Sequence, residues 1–193
     1  MEHFYTIQGE GNFTGVAAYF IRLAGCDVGC VWCDVKESWN ADDHPVLAVE
    51  DLVSLAAGSP GNTVVITGGE PLMYELGPIT AALKTAGKRV HIETSGAHPV
   101  SGEWDWVCFS PKKFKAPHPS VFDKANELKI VVFNKSDFEF AEKYAALVNP
   151  NCQLFLQPEW GKEKVMAELV VEYVKANPKW RISLQTHKYL NIP

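Results

Sequence analysis

Short apolar runs of strand length recur along this chain, separated by stretches of helical periodicity, and that alternation restricts its fold more than any other feature. The runs fall at Ala17–Leu23, Thr63–Thr67, Arg89–Glu93, Trp104–Phe109, Leu128–Phe133, Gln153–Leu156 and Arg181–Leu184. Most are continuous, as expected of strands buried on both faces. Helical patterns lie between several of them. Leu47–Ala57 is one, and Leu76–Ala86 is another, with Gly87 as its stop. Asp137–Val148 follows Ser136 as an N-cap, and Lys162–Ala176 ends before Asn177-Pro178. Strands alternating with helices predict a parallel sheet with crossover helices. The joins 94–103 and 110–127 carry no helical pattern. The expected fold is therefore α/β: an incomplete (β/α) barrel of about six parallel strands with few helices. The 193 residues suit one domain, 1–193.

In such sheets a ligand lies at the carboxyl ends of the strands. The least generic polar residues fall there: Gly68-Gly69-Glu70, Thr94-Ser95-Gly96, Ser110-Pro111-Lys112, Gln157-Pro158-Glu159 and Gln185-Thr186-His187. That pattern predicts an enzyme. The net charge of −5 argues against a nucleic-acid partner, which usually leaves a basic stripe. No apolar run reaches the roughly 18 residues of a membrane span. The opening Met1–Gly11 segment lacks the basic and apolar blocks of a signal peptide, and we read the chain as cytoplasmic.

Three of the five cysteines form a C-x3-C-x2-C loop: Cys26, Cys30 and Cys33. In a reducing compartment, clustered cysteines point to metal rather than to disulfides. Three thiolates on a short loop can wrap one face of a cubane Fe–S cluster. No fourth cysteine is close in sequence, so one iron is left open for a ligand. A structural zinc site is the alternative, with His44 as a fourth ligand, although zinc sites usually pair their ligands differently. Cys108 and Cys152 lie in or beside apolar runs and read as small buried hydrophobes.

With Trp32 just before the last cysteine, the loop resembles the signature of the radical S-adenosylmethionine (SAM) superfamily. Thr67-Gly68-Gly69-Glu70-Pro71 resembles that superfamily's GGE motif, whose backbone and carboxylate hold the SAM amino group. The resemblance implies a 4Fe-4S cluster and a barrel of the radical SAM type. It also implies that SAM binds the open iron and is cleaved by one electron to a 5′-deoxyadenosyl radical.

Over nearly the whole chain the match is closest to the 7-carboxy-7-deazaguanine synthase family of 7-deazapurine (queuosine) biosynthesis. Gln8-Gly9-Glu10-Gly11 resembles its substrate loop, and Arg22 its contact to the pterin carboxylate. A guanidinium suits that role, because it binds a carboxylate in bidentate fashion. Thr67 and His187 match further substrate contacts, as does Pro193 through a terminal carboxylate. Ser95, Ser110-Pro111-Lys112 and Gln157-Pro158-Glu159-Trp160 match SAM contacts, as do Trp32, Gly68, Gly69 and Glu70. The family commonly has threonine after Cys-Asp, and its hydroxyl binds Mg2+. Here the residues are Cys33-Asp34-Val35, which leaves Asp34 as the expected ligand.

The resemblance implies conversion of 6-carboxy-5,6,7,8-tetrahydropterin to 7-carboxy-7-deazaguanine with loss of ammonia, SAM being regenerated. It also implies a homodimer and a donor such as flavodoxin. Two other readings stand beside it at this point: an activase of a glycyl-radical enzyme, and a non-enzymatic Fe–S electron carrier or zinc-stabilised binding module. The match at Pro193 gives a first prediction. A tag of several residues after Pro193 should lower kcat/KM about tenfold, the worth of one charged hydrogen bond. Unchanged turnover would remove any role for a carboxylate on Pro193.

Overall fold

The computed structural model describes residues 1–193 and contains one eight-stranded sheet whose spatial order follows the sequence. The strands are β1 (Glu2–Ile7), β2 (Ala17–Leu23), β3 (Thr63–Gly68), β4 (Arg89–Thr94), β5 (Trp106–Phe109), β6 (Glu127–Val132), β7 (Gln153–Pro158) and β8 (Trp180–Ile182). From β2 to β8 every pairing is parallel. Only β1 runs antiparallel, placing Phe4 opposite Phe20 and Glu2 opposite Arg22. The pattern of apolar runs missed β1. It is a half-exposed edge strand and lacks the continuous apolar run of a buried one.

Four helices cover the convex face: α1 (Val49–Ala57), α2 (Gly77–Thr85), α3 (Ser136–Ala145) and α4 (Glu163–Ala176). The joins between β4 and β5 and between β5 and β6 have no α-helix, as the sequence pattern implied. A short α5 (Thr186–Leu190) follows β8, where the sequence pattern marked no helix. Strand and helix ends differ by a few residues from the expected ones. Ser136 is the first residue of α3 rather than its cap. The capping work passes to Asn134, whose Oδ1 accepts from the Ser136 N–H, and to Asp137, which accepts from the N–H groups of Phe133 and Asn134.

The main apolar core lies between sheet and helices. Ile21, Ile66, Ile92, Phe109, Leu128 and Ile130 pack there against Leu52, Leu83, Tyr144 and Val170. The concave face has only a small apolar cluster, Ala18, Phe20 and Val65 with Phe4 against it. The alternating positions of β4 and β6 carry His91, Glu93, Glu127 and Lys129 into the lumen. Strand alternation thus sends the apolar residues outward to the helices and leaves a polar lumen free for a ligand. The lumen floor is closed by Phe13, 4.6 Å from the His91 ring and edge-on to Trp106 at 4.8 Å. Burial, with Arg89 beside it, depresses His91 to about 4, so the imidazole there is neutral.

The sheet does not close on itself. The gap between β1 and β8 is bridged by the loop after β1. Gly11 donates its N–H to Ser183 Oγ at 2.9 Å, and Thr186 donates its N–H to the Gly9 carbonyl at 2.9 Å. This tie matters for function, because it fastens the N-terminal loop to the C-terminal segment.

One carboxylate joins α3, α4 and β8. Glu142 Oε1 accepts from Tyr173 Oη at 2.9 Å and from Trp180 Nε1 at 2.8 Å, and Oε2 pairs with Lys179. Burial pushes the Glu142 carboxyl up, but these donors outweigh it and hold the group below its usual range. A depressed folded-state value means stabilisation that is present above the unfolded value, about 4.3, and is lost as pH falls below it. Denaturant midpoints at pH 6 and pH 3 should therefore differ more for the wild type than for Glu142→Gln. Equal differences would show that this network carries no pH-dependent stability.

Candidate active site

A cavity of about 270 Å³ opens at the carboxyl ends of the strands. It suits a small molecule rather than a folded partner. The three thiols of Cys26, Cys30 and Cys33 line it, on the loop that follows β2. That loop is held from two sides. Gly25 and Cys26 donate their N–H groups to the carbonyls of Ser38 and Trp39, and the Glu70 N–H donates to the Gly25 carbonyl at 2.9 Å. Outside, Asp27 pairs with Lys115 at 2.5 Å and with His98 at 3.1 Å. A Cβ on Gly69 would meet the Cys26 Cβ at 2.9 Å, so only glycine lets the end of β3 lie this close to the thiol loop.

Burial raises the Cys26 and Cys30 thiols, the latter to about 11 against the pull of Lys112, with the neighbouring cysteines adding to the rise. Ligation there must expel protons. Backbone N–H groups of Val28 and Gly29 are aimed at the Cys26 sulfur, as suits a thiolate ligand. No three His, Cys, Asp or Glu side chains converge closely enough to share one ion. Three thiolates on a cubane each take a different iron, and three cysteines with no fourth close in sequence fit a cluster with one open iron.

The Glu70 carboxylate lies beneath the cavity rather than on its wall, and it is 1% exposed. Oε1 accepts from the Leu72 N–H at 3.0 Å and from Thr94 Oγ1 at 2.5 Å, while Oε2 accepts from both the N–H and the hydroxyl of Ser95. Two donors on each oxygen fill the carboxylate. This corrects the expectation that the carboxylate meets a ligand ammonium. Glu70 instead fixes the ends of β3 and β4, which leaves Gly68, Gly69 and Ser95 to face the cavity. Pro111 and Pro158, also expected at the site, lie behind the wall, while Ser110, Lys112, Gln157, Glu159 and Trp160 are on it. Lys112 is half-buried and donates to the Ser110 carbonyl at 2.7 Å, with its ammonium 5.7 Å from the centre of the Trp32 ring. Glu159 caps the turn that follows it through the Gly161 N–H.

On the opposite wall stand Gln8, Gly9, Glu10, Arg22, Thr67, His187 and Pro193. Arg22 Nε is 2.9 Å from Glu2 Oε1 but makes no aligned hydrogen bond. The strand-end ion pair and the cavity position thus coexist. A Cβ on Gly9 would meet His187 Cβ and Cγ at 2.8 Å, so the loop approaches the histidine because it has no side chain there. Burial lowers the His187 value, and the ring is neutral at pH 7. The Ile192 N–H returns to the His187 carbonyl at 3.1 Å, which turns the tail inward and seats Pro193 on the cavity.

Two groups central to this wall, Lys129 and Glu93, were not singled out in the sequence, and Gln185, marked there only as a polar strand-end residue, joins them. Lys129 is 3% exposed. Its ammonium pairs with Glu10 Oε2 and, at 3.2 Å, with Glu93 Oε2. Gln185 donates to Glu10 Oε1 at 2.9 Å, and Gln8 donates to Glu93 Oε1 at 2.7 Å. Burial would raise Glu10, but Lys129 and Gln185 overcome it and hold the carboxyl near 2. Lysine inside the apolar run Leu128–Phe133 was the available signal, since a buried charge demands a partner.

Asp34 lies on the cavity wall beside Val35, but its Oδ2 receives the Lys188 ammonium at 2.6 Å. Valine offers no side-chain oxygen, and the one carboxylate beside it is already paired with an ammonium. The residues at this position do not fit Mg2+, which demands a near-octahedral set of oxygens.

The Radical SAM superfamily model matches residues 20–107. A 7-carboxy-7-deazaguanine synthase of Flavobacterium psychrophilum is 58% identical over 193 residues, covering 100% of this chain and 91% of the relative. One from Synechocystis is 47% identical, covering 99% and 91%. A crystal structure of QueE from Escherichia coli superposes with a TM-score of 0.86 at 38% identity, covering 96% of this chain and 92% of that one. The chain belongs to the 7-carboxy-7-deazaguanine synthase family. It is a radical SAM enzyme, with a 4Fe-4S cluster and SAM as its cofactors. The activase and carrier readings are set aside by these full-length relatives, and the incomplete barrel is the radical SAM fold.

The charge balance of the lumen rests on Lys129. Removing one partner of a buried ion group costs about 3–5 kcal/mol. Lys129→Met should lower the thermal midpoint by several degrees, and adding Glu10→Gln with Glu93→Gln should restore much of it. A Lys129→Met midpoint equal to that of the wild type would show that the triad is not buried as described.

Proposed function

We propose that the chain converts 6-carboxy-5,6,7,8-tetrahydropterin to 7-carboxy-7-deazaguanine with release of ammonia, acting as a lyase in 7-deazapurine (queuosine) biosynthesis. The observation that carries this reading is a single cavity in which three cysteine thiols face an ion-paired polar wall, in a chain matched end to end by synthases of that name. When bound, the cluster and SAM supply the one-electron chemistry, and SAM is regenerated.

The protein's part is positioning, since reacting atoms must be held near contact distance. Arg22 offers a planar donor fork to the substrate carboxylate. Lys129 keeps Glu10 ionised, and each Glu10 oxygen retains a second lone pair for the amino and ring N–H edge of a pterin. Thr67, Gln8 and the neutral His187 add hydrogen bonds around the ring, and the Gly9 backbone and Pro193 complete that wall. On the other side the backbone of Gly68, Gly69 and Glu70, with Ser95, Ser110, Lys112 and Gln157, receives SAM. Trp32, Glu159 and Trp160 border it, and Pro111 and Pro158 shape the turns behind. The cluster falls to Cys26, Cys30 and Cys33.

Residues 1–193 form one radical SAM domain in this reading, supported by a single sheet that runs through all eight strands. The enzyme works in the cytoplasm as a homodimer and takes electrons from a flavodoxin-like donor. No helix is long and apolar enough to cross a membrane. No step is assigned to Mg2+, because Asp34 and Val35 do not fit it.

Anaerobic reconstitution, reduction and addition of SAM with 6-carboxytetrahydropterin test this directly. The expected products, followed by mass, are 7-carboxy-7-deazaguanine and ammonia without matching loss of SAM. Accumulation of 5′-deoxyadenosine with the pterin intact would leave the superfamily standing and sink the substrate.

A further inference from the structure

The poor fit to Mg2+ leaves a question of charge. An anionic substrate must enter a cavity that already holds Glu10, Glu93 and Asp34. Burying another carboxylate without a nearby cation is costly. Lys129 is committed to two carboxylates, and Lys112 donates to the Ser110 carbonyl and hydroxyl. Arg22 and Lys188 each have one ionic partner, and that partner is substantially exposed: Glu2 at 47% and Asp34 at 57%. Exposed pairs of this kind are worth little and are readily exchanged for a better partner.

Lys188 stands at the position in question. Its ammonium is 2.6 Å from Asp34 Oδ2 and 5.3 Å from the centre of the Trp160 indole, and Asp34, Val35 and Trp160 all line the cavity. Tyr189 packs edge-on against that indole at 5.3 Å. Lys188 is not itself on the cavity wall, but Asp34 is; the Lys188 side chain is 20% exposed, and its ammonium reaches the edge of the cavity through Asp34. A lysine ammonium is a compact charge with three donors. One is spent on Asp34, which leaves two. A divalent ion on Asp34 would have to share the same carboxylate with this cation.

We propose that Lys188 supplies, as a fixed side-chain cation, the positive charge that the family pattern assigns to Mg2+ beside Asp34, so that the anionic substrate binds and turns over without a divalent ion. The inference rests on the pterin reading above. It predicts a loss that Mg2+ does not repair: with Lys188 gone and Val35 in place, Asp34 alone offers the metal a side-chain oxygen.

The test uses reconstituted holoenzyme stripped of divalent ions, with Mg2+ titrated to saturation. Wild-type kcat/KM should change less than about twofold on adding Mg2+. Lys188→Ala should raise the KM for the pterin about tenfold or more, the worth of a charged hydrogen bond, with a smaller change in kcat and no rescue by Mg2+. Lys188→Arg should recover part of the loss, and Lys188→Ala with Val35→Thr should recover it only when Mg2+ is present. A readout independent of turnover is Mn2+ binding by electron paramagnetic resonance in the presence of the oxidised analogue 6-carboxypterin. The wild type should bind no stoichiometric Mn2+, and the double variant should bind one. A wild-type rate that rises tenfold with Mg2+, stoichiometric Mn2+ in the wild type, or an unchanged KM in Lys188→Ala would each overturn the proposal while leaving the pterin reading intact. Absence of pterin conversion under every condition would remove both.

Discussion

The Lys129 ammonium, buried between Glu10 and Glu93, is the interaction on which the rest of the site depends. It joins β6, β4 and the loop after β1 at one point inside the lumen. None of the three charges could sit there alone, because an unpaired ion inside a protein costs several kcal/mol. Together they make the lumen polar and ordered, and Gln8 and Gln185 extend the bonding to the N-terminal loop and to the residue before α5. The open edge of the barrel is therefore shut by side chains and loop backbone where a closed barrel would use strand pairing.

A similar economy of polar groups shapes the cofactor side. Glu70 spends its whole acceptor capacity on Leu72, Thr94 and Ser95, so its work is to lock the ends of β3 and β4 against the thiol loop. The glycines before it let the backbone approach the cysteines, and the seryl and backbone groups it orients are the ones left facing the cavity. The apolar core, which lies outside the barrel under the helices, holds this frame while contributing little to the lumen. Stability and chemistry are thereby separated onto the two faces of one sheet.

The motifs that identify the chemistry were legible because they are local. Cys26, Cys30 and Cys33 lie within eight positions of one another, and Gly68-Gly69-Glu70 is contiguous. The buried strands were legible from their apolar runs, and the two missing helices from the joins that lacked a pattern. The edge strand β1 was not, because a strand with both faces partly wet carries little hydrophobic signal. Helix α5 was missed because five residues are too few to show periodicity.

What the sequence determined by itself is the type of chemistry and the alternation of buried strands with helices, since ligand spacing and strand hydrophobicity are properties of neighbouring residues. What only the tertiary structure decided is which charges meet. Lys129 finds Glu10 across 119 positions, Gln185 finds Glu10 across 175, and Lys188 finds Asp34 across 154. The sequence marks such residues as charged or polar but cannot name their partners. Partnership depends on strand register and on where two loops fall at the mouth of a barrel, and packing of the whole chain settles both. The same reason explains Glu70, whose carboxylate looked like a ligand for the cofactor until the fold surrounded it with donors.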